Sequence, residues 1–166
     1  MKSYRLTLVS FIFLASLFVA SMIGPTVAQD RGILKEFSRT GYFAGTKLSF
    51  VLLTDKTIDM FFKGSSKDEV QEKVNRGTCF YIAGIADKNM KMSTDFVVEQ
   101  DGEKFAGTIV NLKNFVDGDV AKGEKISGIL QLQKKLKLNH LFMVRGAGGM
   151  VDFQLSDVAL QNVSNQ

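Results

Sequence analysis

Phe96-Val97-Val98-Glu99-Gln100-Asp101-Gly102-Glu103-Lys104-Phe105-Ala106-Gly107-Thr108-Ile109-Val110 decides the fold class. Two runs with a side-chain period of two flank an Asp-Gly pair. A tight primed turn needs positive φ at both central residues, which Asp and Gly accept. The stretch therefore predicts a β-hairpin with strands over 96–100 and 104–110.

The same alternation continues outward on both sides. Towards the C-terminus, Ile126–Leu132 places Ile126, Leu130 and Leu132 on one face and Ser127 and Gln131 on the other. Leu141–Val144 and Met150–Leu155 follow as two more strands, with Arg145-Gly146-Ala147-Gly148-Gly149 between them as a hairpin loop. Towards the N-terminus, Cys79–Ala86 is almost wholly apolar, as expected of a strand covered on both faces. Thr46–Leu53 and Thr57–Phe62 read as strands joined by a turn at Thr54-Asp55-Lys56. Neighbours on a strand face opposite sides, so Phe61 and Phe62 cannot both enter one core, and one of them should meet a helix. That helix is expected over 66–75, with a serine cap, Asp68 and Glu69 in its first turn, Val70 and Val74 on one stripe, and Gly77 after its end. About eight short strands and one short helix describe an all-β chain, expected to be an immunoglobulin-like antiparallel β-sandwich, with a small β-barrel as the alternative. The only proline is Pro25, so no strand loses a main-chain donor to proline.

The ends have a different composition. Lys2 and Arg5 precede an apolar stretch from Leu6 to Ile23, followed by Gly24-Pro25 and then Thr26-Val27-Ala28. This order predicts a signal peptide over 1–28 with cleavage between Ala28 and Gln29. At about 18 residues the apolar stretch also reaches the lower limit of a membrane span, so an uncleaved N-terminal anchor is the competing reading. Residues 29–40 are expected to be an N-terminal extension, 41–160 the β domain and 161–166 a disordered tail. The expected protein is secreted or periplasmic, with no transmembrane segment after cleavage.

Charge and cysteine content exclude several classes. Removing the leader leaves 19 basic against 17 acidic residues, too even a balance for the concentrated basic surface of a nucleic-acid binder. Cys79 is the sole cysteine, so no disulfide can form within the chain. Its apolar neighbours predict a small buried side chain rather than a reactive thiol.

A set of short motifs runs from 95 to 156: Asp95-Phe96-Val97-Val98, Asp101-Gly102-Glu103, Asn114-Phe115, Gly118-Asp119-Val120, Gly123-Glu124-Lys125-Ile126-Ser127-Gly128, Phe142, and Val151-Asp152-Phe153-Gln154-Leu155-Ser156. Their order resembles the C-terminal half of the telokin-like, immunoglobulin-type sandwiches of bacterial envelope proteins. The helix at 66–75 departs from that pattern. The resemblance implies a binding or structural module without shared catalytic residues.

Residues able to carry chemistry are few. His140 is the only histidine and lies in the polar connection Lys137-Leu138-Asn139-His140, where a solvated loop residue is expected. One Cys and one His cannot build the usual zinc site, and a blue-copper centre needs two histidines. Met90 and Met92, with His140 and Met143 as further donors, are candidates for soft copper ligation; core or loop methionine is the plainer reading. Gly146–Gly149 precedes no helix and lacks Lys-Ser/Thr, so it is no phosphate loop. Lys134, Lys135 and Lys137 form the densest basic spot, able to touch an anionic lipid or glycan or simply to stay solvated. Asp117, Asp119 and Glu124 lack the ligand pattern of a calcium loop and suit a turn. Asn162-Val163-Ser164 matches a glycosylation acceptor.

No catalytic, cofactor-binding or metal-binding residue is assigned from sequence. The expected function is an exported, non-enzymatic binding or structural module with a protein partner in the cell envelope. The first alternative is a carrier of a small apolar ligand in a barrel lined by Phe50, Phe62, Phe80 and Phe105. The second is copper binding through Met90 and Met92.

Overall fold

A computed structural model describes residues 32–113 and 118–164, and the unit it presents begins at Ile33. The predicted signal peptide and its cleavage point lie outside the described residues, as do Asn114, Phe115 and Asp117. After a short helical segment over 32–37, the elements run β1 (Ser38–Phe43), β2 (Thr46–Leu52), α1 (Asp55–Phe61), α2 (Ser65–Arg76), β3 (Cys79–Ile85), β4 (Met90–Met92), β5 (Phe96–Gln100), β6 (Glu103–Lys113), β7 (Gly118–Val120), β8 (Lys125–Gln131), β9 (Phe142–Gly146), β10 (Gly149–Phe153) and α3 (Asp157–Ser164).

Eight strands form one sheet in the order β1-β2-β3-β8-β6-β5-β9-β10, every pair antiparallel, and β4 and β7 form a separate two-stranded ribbon. The long sheet curls until β1 lies against β10. Across that seam the Ala44 amide donates to the Ala147 carbonyl at 2.7 Å. A Cβ on Gly41 would meet Val151, and one on Gly149 would meet the Tyr42 carbonyl. The all-β expectation holds, and of its two arrangements the barrel is the one found: a single curled sheet, not two stacked ones. No helix among the described residues is long and apolar enough to cross a membrane.

Phenylalanine rings fill the barrel in two groups. Phe43, Phe50 and Phe96 pack with centroids 4.9–5.9 Å apart, and Phe80, Phe142 and Phe153 with centroids 5.2–5.9 Å apart. All six are essentially unexposed. Each contributes about 1.5–3 kcal/mol through apolar burial, with more from ring geometry. Room for the rings comes from glycines facing inward beneath large neighbours, as Gly107 does under Leu130 and Gly146 under Phe96.

Three two-residue hairpins close one strand pair each. Asp101 and Gly102 have φ of +53° and +80°, as the sequence predicts. The other two turns are Ala44-Gly45 and Ala147-Gly148, with φ of +49° and +79° and of +45° and +72°. Alanine is a poor residue for positive φ, which hid β1 from the sequence and made the β9–β10 turn look longer than it is. The barrel accordingly starts at Ser38, within the expected extension.

Residues 57–62 are not a strand. Residues 57–61 belong to α1, which Phe62 ends and Thr54 caps: the Thr54 amide donates to Thr57 Oγ1 at 2.8 Å, and the Thr57 amide donates back to Thr54 Oγ1 at 3.4 Å. Buried Thr57 also donates through Oγ1 to the Leu52 carbonyl at 2.9 Å. The apolar set Ile58, Met60, Phe61 and Phe62 fits period two and the helical i, i+3, i+4 spacing alike; the cap decides for the helix. Phe61 and Phe62 both reach Tyr81, at 5.2 and 5.6 Å. The α2 helix matches expectation in extent, but Gly64 rather than a serine stands at its N-cap, with φ +55°. Ser66 instead donates to the Lys63 carbonyl.

Ile58, Val70, Leu53, Cys79 and Ile129 form a second, smaller core on the outer face of β2, β3 and β8, with Phe62, Val74 and Tyr81 around it. The expected tail also differs, since α3 carries helix through Ser164. Ser156 Oγ accepts from the Ala159 amide at the start of α3 and donates to Glu36. Arg39 ties the N-terminal segment down, donating to the carbonyls of Lys35, Glu36, Ser38 and Gln154 while lying over the Phe153 ring.

Candidate ligand-binding cleft

The two cores meet at one end of the barrel, where β2 passes into α1, α2 passes into β3, and β8 leaves the sheet. Between them is a cleft of about 310 Å³. Leu52 and Leu136 come from the inner core, Leu53 and Val74 from the outer one, and Leu138 and Val163 complete the apolar lining. Polar groups at the rim include Thr54, Asp55, Gln71, Asn75 and Lys135. This volume falls at the lower end of the ~300–1,000 Å³ typical of small-molecule sites.

The wall at 132–138 is held by side chains that act as main-chain substitutes. Thr78 donates its amide to the Lys134 carbonyl, accepts from the Leu132 amide at its own carbonyl, and accepts from the Leu136 amide at Oγ1 (3.1, 2.8 and 2.8 Å). Further along, the buried Gln100 amide group donates to the Lys137 carbonyl at 2.8 Å and accepts from the Lys137 amide at 2.9 Å. The loop thus behaves as an extra strand fixed at two points. Gly77 permits the first, because any Cβ there would lie 1.9 Å from the Leu132 carbonyl oxygen.

His140 is not a solitary solvated residue. Its Nδ1 lies 2.9 Å from both Asp101 carboxylate oxygens, with Lys137 Nζ 3.3 Å from the same carboxylate. The His140 hydrogen bond, with Lys137 beside it, holds Asp101 below the ordinary carboxylate range. Glu99, Leu141 and Met143 border the same shallow recess, and Glu99 pairs with Arg145 at 3.4 Å. Among the described residues the recess contains an Asp-His pair and no hydroxyl or thiol side chain.

The lysines of the basic spot part company. Lys134 pairs with Glu103 at 3.0 Å and covers the Phe105 ring at 4.7 Å. Lys137 pairs with Asp101, while Lys135 lines the cleft. Cys79 is buried as expected, and burial pushes its thiol up to about 12 despite the opposing pull of Lys73.

Of the candidate copper donors, His140 and Met143 are not brought to Met90. Met90 is buried beside the Ala44-Gly45 turn, its sulfur accepting from Thr46 Oγ1 at 2.8 Å. His140 and Met143 sit with Asp101 at the opposite end of the strands. The Met92 side chain lies outside what is described. Among the described residues, no group of three or more His, Cys, Asp or Glu is placed to hold a metal ion. Glu124 accepts from the Ala121 amide, as in a turn, and Asn162 falls within α3.

Of the four rings expected around one central cavity, Phe50 and Phe80 are in the inner core and Phe105 packs at its margin. Phe62 is outside, in the smaller core. Sequence reasoning missed the cleft because its lining comes from four separate junctions. Thr54-Asp55-Lys56-Thr57, read as a helix cap, was the signal available. No family model, no curated protein and no solved structure matches this chain.

Proposed function

We propose that the protein is an exported binding module of the bacterial envelope or exterior, and that it takes a small, largely apolar ligand in the cleft between the barrel end and the α1–α2 pair. The observation that carries this reading is the cleft itself: a preformed concavity with apolar side chains from both cores and a short polar rim. The loop that walls it is fixed by Thr78 and Gln100, so little ordering would be required on binding. The leader-like residues 1–28 support export. A binding role rather than catalysis is supported by the buried Cys79 thiol and by a recess beside His140 that holds no hydroxyl or thiol among the described residues.

The test is titration of the protein with N-phenyl-1-naphthylamine, a neutral apolar fluorophore, alongside the Val74→Trp variant, whose indole would fill the cleft. Saturable one-site binding by the native protein and its loss in the variant, with thermal unfolding little changed, is the expected result. Absence of saturable binding, or binding indifferent to Val74→Trp, would remove the proposal.

A further inference from the structure

Resting on the cleft reading above, we propose that the ligand is an anionic amphiphile, its apolar body among Leu53, Val74, Leu136 and Leu138 and its carboxylate, sulfate or phosphate head against Lys135. The charges around the cleft point this way. Asp55 is the carboxylate on the lining, and it is already engaged: it accepts from Gln71 Nε2 at 2.7 Å and lies in the first turn of α1, where the helix dipole offsets its charge. The carbonyl end of α2 also faces this region, with Lys73 and Arg76 in its last turn to compensate it. Lys134 and Lys137, on either side in sequence, are each spent on an acid. Lys135 lies on the cleft lining, and no hydrogen-bond or ion-pair partner for it is found among the described residues. Lys135 is therefore a cationic residue on the lining of an apolar pocket with no ion-pair partner among the described residues. A lysine in that position favours an anion as a point charge, without the bidentate demands of an arginine.

The test compares three eight-carbon probes below their aggregation limits: octanoate, octanol and octyltrimethylammonium. Each is titrated by calorimetry into the native protein, Lys135→Gln and Val74→Trp. Octanoate should bind more tightly than octanol by up to about fivefold, the expected scale of one partly exposed ion pair. The cation should bind weakest. Lys135→Gln should erase the preference for octanoate while leaving octanol affinity unchanged. Equal binding of octanoate and octanol, both lost in Val74→Trp, would overturn the anionic assignment and leave the cleft as an apolar site. Tighter binding of the cation would overturn it too. If no probe binds saturably, both readings fall. Co-sedimentation with phosphatidylglycerol vesicles without binding of monomeric octanoate would place the anion contact on a membrane surface and refute a soluble ligand.

Discussion

Replacing Gly77 with alanine should destabilise the protein by about 3–4 kcal/mol, although the backbone there suits any residue. With φ at −172°, Gly77 is extended, so the substitution carries no conformational strain. By restricting the unfolded chain it would even stabilise by about 0.4–1 kcal/mol. Against that, the new methyl would sit 1.9 Å from the Leu132 carbonyl oxygen and 3.0 Å from its carbon. Ordinary carbon–oxygen contacts lie near 3.3 Å, so the 132–136 loop and the α2–β3 junction must part by over 1 Å. Thr78 makes three hydrogen bonds across that gap, each worth about 1 kcal/mol. Losing two or three of them, with ~1–3 kcal/mol of overpacking, outweighs the gain. Urea unfolding followed by circular dichroism measures the difference. Gly123→Ala, at φ +87° with open space around it, serves as the control, costing about 1–2 kcal/mol from backbone strain alone. A Gly77→Ala protein within 1 kcal/mol of the native one would refute the proposed clamp, and with it the rigid wall of the cleft.

Ala44→Gly and Ala147→Gly should each stabilise by about 0.5–1 kcal/mol in the same assay, because both alanines are held at positive φ. Cys79 should resist iodoacetamide at pH 8 in the folded protein and react at once in denaturant. Its folded pKa is raised, so the associated stability is full below the ordinary thiol value of about 8.5 and is lost as pH climbs towards 12. Alkaline unfolding that is identical in native protein and Cys79→Ala would contradict this. Asp101 has a lowered pKa, so its contribution is present above the ordinary carboxylate value and disappears as pH falls through the folded one. Asp101→Asn, which keeps a residue tolerant of positive φ in the turn, should flatten the acid limb of the stability–pH curve; an unchanged limb would show that the His140 pair does not govern it.

What the sequence disclosed followed local chemistry. Asp101-Gly102 specified its hairpin because both residues suit the backbone they adopt. The alternation in β8 separated inward Ile126 and Leu130 from outward Ser127 and Gln131 because a side-chain period of two survives any sheet curvature. Features set by distant contacts stayed hidden. Nothing in Ala44-Gly45 announces a turn that is stabilised by the β9–β10 turn across the seam. The apolar residues at 58–62 satisfied two periods at once, and only the reciprocal Thr54–Thr57 bonds distinguish them. Barrel and sandwich share the same alternation, and the choice between them rests on whether β1 reaches β10. The cleft was least visible of all, being assembled from residues 52–55, 71–78, 135–138 and 163, which no spacing rule connects.

The meeting of β1 with β10 also limits how this protein could engage another. Sheets with a bare flank recruit an extended peptide as one more strand, main chain to main chain. Here the two terminal strands of the long sheet lie against one another, so a strand added at that seam would have to part them. Recognition of a partner along that seam would then depend on side chains and loops, so that its specificity could change by substitution without disturbing the hydrogen-bonded frame.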